Sequence, residues 1–329
     1  MAEQVLKDAV NDVFAEAAEQ EENIAEKKPL PRPKKHRIKK GELASDIVTY
    51  VVLILYAIVQ MFPFAIILLT ALSKQTFLIE TLGFRVPSFS DMTFDNFKEA
   101  VTSDVAYIYV NGKPVNSLLL GFWNTLWQTV PTTLIGLFVS GLAGYGYAKL
   151  RFRGKSILYA IQTAIIALPL ATLTMPSYLF YYTIGWTDTV LPVIIPGMFG
   201  SAVTVFYLSQ FFHGLPTEII EAARIDGLGS FGIYLRIILP LSVPAIVTQG
   251  ILAFVGGYNN FLGALLYITE ESQYPLQRAL YFINGCYDEF SMAGVICAST
   301  ILAMLPLIII YIFGRKQLRV GIVSGAVKA

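Results

Sequence analysis

Apolar residues fall along this chain in six long blocks, roughly 47–73, 118–148, 157–183, 190–212, 240–268 and 291–314, separated by more polar stretches. A bilayer core of about 30 Å takes about 20 apolar residues to cross as a helix, so every block is long enough to span. Several blocks contain prolines or polar residues, which leaves their ends open by a few positions. The pattern predicts an all-α integral membrane protein with six transmembrane helices. It divides the chain into a tail over 1–46, a membrane domain over 47–314 and a second tail over 315–329.

Composition agrees with that reading. The chain has 329 residues, of which 55% are hydrophobic and only 14% charged, and its mean hydropathy is +0.60. A soluble domain carries about 25% charged residues. The net charge of +1 says nothing about partners. Cys286 and Cys297 give neither a zinc spacing nor a disulfide framework, and His36 and His213 are far apart in the sequence. A His-based metal or catalytic cluster is therefore not expected. Residues 1–40 are polar and the first apolar block is too long for a signal-peptide core, so no cleavable leader is expected.

Basic residues set the orientation. Lys and Arg concentrate on the cytoplasmic side of membrane proteins. Of the 24 here, 19 fall before the first block, in the second and fourth loops, or after the last block; five fall in the other loops. Six spans with both ends in the cytoplasm satisfy this alternation, and five or seven do not. Residues 3–26 are acidic, with Val5, Leu6, Val10, Val13, Phe14 and Ala17 near helical spacing. An interfacial helix and a plain disordered tail both fit them. The basic run 32–40 reads as an anchor near anionic lipid rather than a nucleic-acid site. In the first outer loop, about 74–117, Asn111-Gly112 sits between β-prone residues as a candidate hairpin turn.

Between the fourth and fifth blocks lies EAARIDGLGSFGIYLRIILP, residues 221–240. Pro216 suits a first helical position and Gly227 the left-handed residue past a helix end, so 216–226 reads as a short helix. Ser230 can cap a second helix running to Leu239, with Pro240 interrupting it at the membrane. Ala222 and Ala223 let another surface approach closely, and Ile219, Ile220 and Ile225 offer apolar contact. Asp226 sits where the helix dipole disfavours an anion, so the turn or a partner must account for it. On spacing alone, a helix lying on lipid headgroups and a docking element fit equally well.

The residues also carry a resemblance. Glu221, Ala222, Ala223, Gly227, Ile237, Leu239 and Pro240 match the EAA motif of ABC importer permeases. FWNTLWQTVPTT, KLRFRGKS, GGYNNFLGALLYI and the terminal GIVSGAVKA resemble segments of the carbohydrate-uptake permeases. Within that group the chain is similar, over about 45–329, to the six-span partner of the maltose-type permease pair. The resemblance implies a type I importer fold in a bacterial or archaeal cell membrane. It implies a coupling helix in which Glu221, Ala222, Ala223 and Gly227, helped by Asp226, contact a cytoplasmic ATPase, with the tail after Gln317 reaching the ATPase dimer interface. The implied partners are a second, different permease, a homodimeric ATP-binding subunit, an extracytoplasmic sugar-binding protein and membrane lipid. No bond chemistry and no cofactor are implied for this chain; ATP and Mg belong to the ATPase. The family usually has Trp before Asn where this chain has Tyr258 before Asn259, a departure that bears on sugar preference.

Other patterns carry less. Gly154-Lys155-Ser156 lacks the glycine of a phosphate-binding loop, because position 149 is Lys149. Gly141, Gly144 and Gly146 have no strand before them and are no dinucleotide fingerprint. Gly136, Ser140 and Gly144 are spaced by four and read as a close helix-packing face. Polar residues inside spans are costly unless used, which makes Asn124, Gln128, Gln162, Gln249, Tyr258, Asn259 and Asn260 the substrate-path candidates. Tyr258, Asn259, Asn260 and Gln249 are favoured because they cluster in the fifth block, although each amide equally suits helix-to-helix bonding. A permease for a non-sugar solute remains an alternative. An ion-coupled secondary transporter needs intramembrane carboxylates, which these spans essentially lack.

The charge distribution yields a test of topology. A single cysteine placed near Asn111, with Cys286 removed, should react with an impermeant thiol reagent in intact cells. Labelling only after permeabilisation would reverse the orientation.

Overall fold

The structure, a computed structural model, describes residues 40–77, 86–102, 106–286 and 292–326, with side chains described from 46 to 318 except 170 and 171. The expectation for residues 3–26 lies outside the described residues. The chain divides into two compact units, Met1–Phe62 and Pro63–Ala329. Helix α1 (Lys40–Ala71) begins in the first and ends in the second. From Asp46 to Phe62 its side chains are all exposed, an apolar surface suited to lipid rather than water.

The second unit continues with a 3-10 turn at Phe89–Asp91, α2 (Asp95–Thr102) and a hairpin of β1 (Tyr107–Val110) and β2 (Lys113–Asn116). Then come α3 (Ser117–Lys149), α4 (Lys155–Ile166), α5 (Thr174–Thr183), α6 (Leu191–Met198) and α7 (Ala202–His213). Helix α8 (Thr217–Ile225) and α9 (Ser230–Leu241) follow, then α10 (Val243–Tyr258), α11 (Phe261–Tyr267), α12 (Leu276–Cys286) and α13 (Ala293–Ala326). The expected tail from 315 is thus helical as far as Ala326.

The hairpin corrects the all-α expectation in one detail. Asn111 and Gly112 both take positive φ, 52° and 76°, and Val110 pairs with Lys113 in antiparallel register. That is the two-residue turn an Asn-Gly pair favours, because its twist matches the strands it joins.

Helix α3 is the axis of the second unit. Its first amides are capped by Asn116, whose Oδ1 accepts from Leu118 N at 3.0 Å and Leu119 N at 3.2 Å. Its 33 residues rise about 50 Å, well beyond the hydrocarbon thickness. Helices α6 and α7 cross one side of it, and α10 and α12 another. The expected small face is where these crossings occur. A Cβ on Gly136 would fall on the Gly197 carbonyl, and one on Gly144 would lie 3.1 Å from Ser209 N.

Six unbroken spans are not what the described residues show. Four stretches are long and apolar enough to cross a membrane: Asp46–Ala71, Ser117–Lys149, Leu191–His213 and Ala293–Leu318. A fifth arises if α9 and α10, bent by 83° at Ser242, count as one. The block expected over 157–183 divides into α4 and α5 around Pro169, because a proline lacks a donor and disfavours helix in the residue before it. Helix α4, with 12 residues, rises only about 18 Å. The block expected over 240–268 divides at Asn259-Asn260. There Asn260 Oδ1 accepts from Gly263 N at 3.1 Å and starts α11 afresh, as short amide side chains do at helix N-termini.

The turn after α1 is tied down by backbone bonds from Lys74 N to Asp91 O and Thr93 N to Leu72 O. Hydrogen bonds from Ser88 hold the Asp91 carboxyl below the usual carboxylate range. Buried Asn96 donates from Nδ2 to the carbonyls of Ala71 and Ser73, at 2.8 Å each. Asn96→Ala leaves both acceptors without that donor and should cost about 1–3 kcal/mol, read as a lower unfolding temperature in detergent. Asn96→Asp should not rescue it, since a carboxylate has nothing to donate; full rescue would show that packing alone matters there.

Candidate functional site

Helix α8 is built to project one face and bury the other. Ile220 and Ala223 pack inward with Ile233, Tyr234 and Ile238 of α9 and with Tyr145 and Phe212. Glu218, Glu221, Ala222 and Ile225 face out, and Ile225 is 87% exposed. The helix ends in a Schellman arrangement. Gly227 sits at φ 84°, Leu228 N donates to Ala223 O at 3.0 Å, and Gly227 N donates to Arg224 O at 3.1 Å. Asp226 is the last residue before that turn and remains exposed. Of the five residues expected at a docking surface, Glu221, Ala222, Asp226 and Gly227 are open to solvent; Ala223 is turned into the protein's own core. Pro216 lies one position earlier than expected, as the cap rather than the first helical residue.

Helix α9 departs from its expected end. It does not stop at Leu239 but passes Pro240 to Leu241. It does so through a π turn over Tyr234–Ile238. Proline in a helix clashes with the carbonyl four residues back, here that of Arg236, which lies inside that widened turn. The π turn also aims Tyr234 at α3. Its buried hydroxyl donates to Phe138 O at 3.2 Å, its ring meets Phe138 edge-on at 5.8 Å and lies 5.6 Å from that of Tyr145, and it presses on Gly141, where a Cβ would strike the hydroxyl. A groove of about 590 Å³ flanks α8, lined by Lys149, Arg151, Phe152, Glu221 and Arg224 among others.

A second concavity, about 470 Å³, lies between α3, α6, α7 and α10. On α3 its lining runs Gln128, Thr132, Gly136 and Ser140 in steps of four, with Thr129, Thr133 and Leu137 beside them. That row covers about 18 Å of helix. Helix α10 contributes Gln249, Leu252, Ala253, Gly256 and Gly257, and Asn260 and Pro275 complete it with residues of α6, α7 and the turn between them. None of the lining residues is charged and none is aromatic. Among the described residues no group of three or more His, Cys, Asp or Glu is placed to hold a metal.

The structure separates the intramembrane polar candidates. Gln249 and Asn260 line the cavity, as does Gln128; Tyr258 and Asn259 do not. Tyr258 is buried and donates to Ala303 O at 2.7 Å, tying α10 to α13. Asn259 donates to Val255 O and accepts from Gln277 Nε2. Asn124 donates to the carbonyls of Ser272 and Tyr274, and Gln128 to that of Gln273, so together they clamp the 272–274 turn onto α3. Gln162 donates to Ala202 O. Gln249 is only 7% exposed, yet its amide makes no hydrogen bond among the described residues. Gln128 Oε1 and Gln162 Oε1 are buried amide oxygens left without a partner among the described residues, a cost of about 1–3 kcal/mol each. Sequence reasoning missed the hydroxyl-bearing wall of Thr129, Thr133 and Thr204; the four-residue steps along α3 were the available signal.

Several apolar spans, some of them packed on one small-faced helix, and an amphipathic helix with an exposed outer stripe define an integral membrane protein. A family model described as the binding-protein-dependent transport system inner membrane component matches residues 105–319, and the chain belongs to that family. It is similar to the arabinooligosaccharides transport system permease protein AraQ of Bacillus subtilis, at 32% identity over 243 residues, covering 72% of this chain and 79% of that protein. It is also similar to the trehalose transport system permease protein SugB of Mycobacterium tuberculosis, at 28% identity, covering 73% and 83%. Among solved structures it resembles a chain of a bacterial ABC transporter involved in import of the acidic polysaccharide alginate. The TM-score is 0.70 at 21% identity, covering 88% of this chain and 99% of that one. This last likeness shows that the two chains share a fold.

The crossing of α3 and α10 beside the cavity can be probed with adjacent glycines. A Cβ on Gly257 would lie 2.7 Å from Thr129 Cγ2, whereas one on Gly256 meets nothing within 4 Å. Gly257→Val should destabilise the protein by about 1–3 kcal/mol and Gly256→Ala should not, as measured by thermal unfolding in detergent. Equal stability of the two would show that the helices do not approach this closely.

Proposed function

We propose that the chain is a permease subunit of an ATP-driven sugar or oligosaccharide importer. It crosses the membrane six times with both ends in the cytoplasm, the two broken blocks each supplying one crossing. It pairs with a second, different permease, receives cargo from an extracytoplasmic binding protein, and is driven by a homodimeric ATPase that handles ATP and Mg. It performs no bond chemistry itself. The relatives named for arabinooligosaccharide and trehalose transport support a carbohydrate cargo.

The observation that carries this reading is α8. It has a solvent-facing stripe of Glu221, Ala222 and Ile225, a glycine-locked end at Gly227, and an inner face packed through Tyr234 onto α3. A soluble partner that grips the outer stripe thereby moves α9 and α3 together. ATP binding drives closure of the ATPase pair, and the partners' differential affinity for the inward- and outward-open forms supplies the shift between them.

Gly227→Pro removes the positive φ and the N–H that closes the turn, and Glu221→Lys reverses a charge on the exposed stripe. Both complexes should still insert and pair with the second permease. Co-purification of the ATPase should fall, and stimulation of hydrolysis by loaded binding protein should be lost, with Gly227→Pro the more severe. Wild-type co-purification, stimulation and uptake in both variants would remove α8 from the coupling role.

A further inference from the structure

The likenesses leave the charge of the cargo open, since arabinooligosaccharides and trehalose are neutral and alginate is acidic. The cavity along α3 speaks to that point. Its walls present the amides of Gln249 and Asn260 and the hydroxyls of several threonines and serines, with no cation among them. A carboxylate entering it would lose its hydration with nothing to balance its charge, a large penalty in a low-dielectric site. A neutral polyol would exchange its waters for the same kinds of donors and acceptors.

Gln249 adds an independent observation. It lies 93% buried in that wall, is polar, and has no partner among the described residues. Asn124 differs from it, being spent on the 272–274 turn, whereas Gln128 in the same wall gives its Nε2 to Gln273 O and leaves its buried Oε1 without a partner among the described residues. The unbonded Gln249 amide is available to a ligand's hydroxyl, and the buried Gln128 Oε1 in the same wall is an acceptor that such a hydroxyl would satisfy. The absence of aromatic rings matters as well. Without a flat face for a sugar to stack on, holding rests on hydrogen bonds alone, which favours passage over capture. At about 470 Å³ the space falls in the range of small-molecule sites, enough for part of an oligosaccharide.

We propose that this cavity is a transit site for an uncharged carbohydrate unit, with Gln249 hydrogen-bonding its hydroxyls and uronic acids excluded. The proposal rests on the sugar-importer reading and names the chemistry of its path.

The test uses the assembled transporter with its native partners. In a background of Cys286→Ser and Cys297→Ser, Thr133→Cys places a thiol in the cavity wall. Maltotriose should slow its alkylation by N-ethylmaleimide, trigalacturonate of the same length should not, and adding Gln249→Leu should abolish the protection. In proteoliposomes, Gln249→Leu should lower uptake of the cognate sugar roughly tenfold, equivalent to about 1.4 kcal/mol. Gly256→Leu, whose side chain enters open space, should block uptake while the ATPase still co-purifies. Equal protection by both trisaccharides, or wild-type uptake in both variants, would overturn the proposal. Should sugar uptake be normal while maltotriose never protects Thr133→Cys, the cavity assignment falls and the importer reading stands. Should the unmutated complex import no sugar at all, the importer reading itself falls.

Discussion

Everything in the second unit depends on how closely other helices approach α3. In lipid, helices gain nothing from hiding apolar side chains from one another, so association relies on tight backbone packing and on polar bonds. Helix α3 supplies both on one side. Gly121 lets α12 in, where a Cβ would lie 2.7 Å from Ala279 Cβ; Gly136 and Gly144 let in α6 and α7. Between these contacts Asn124, Thr125 and Gln128 bind the backbone of residues 272–276. The N-terminal half of the helix is therefore held by hydrogen bonds together with the Gly121 contact, and the C-terminal half by contact of small residues.

The same face explains where the cavity lies. Close approach at Gly136–Gly197 and at Gly257–Thr129 fixes α6 and α10 on either side of α3. The space left between those crossings is lined by whatever α3 carries there, namely threonines and Ser140. The end of the cavity toward the α3 C-terminus adjoins the residues that Tyr234 touches: Leu137 and Ser140 line the cavity, and Phe138 and Gly141 meet Tyr234. Cavity wall and α9 thus share the stretch Leu137–Gly141, little more than one turn of one helix. Helix α9 packs directly on the part of α3 that forms the cavity wall.

Short-range geometry was legible in the sequence because single residues dictate it. Asn111-Gly112 specified the hairpin turn, Gly227 the end of α8, and the spacing of Gly136, Ser140 and Gly144 the packing face. Continuity of the spans was not legible, because apolar content does not reveal whether a proline is bypassed or breaks the helix. Pro169 separates α4 from α5, while Pro240 is carried through by a π turn that no local pattern announces. The polar site was legible only as a set. Tyr258, Asn259, Asn260 and Gln249 give the same signal, an unexpected polar group in an apolar run. Their separation into tie, cap and cavity wall depends on which helix stands opposite, and that is set by residues elsewhere in the chain.

The breaks in the spans place chemistry as well as interrupting helices. At Asn259-Asn260 the chain spends one amide on Val255 and Gln277 and uses the other to start α11 while lining the cavity. At Ser242 the bend of 83° lets α9 lie toward α8 while α10 lies along the cavity. A straight helix from 230 to 258 would carry Tyr234 and Gln249 on one axis. Bent, the segment keeps Tyr234 against α3 at one end and Gln249 in the cavity wall at the other. The two ends of the segment therefore serve different contacts along α3, one packed and one bordering open space.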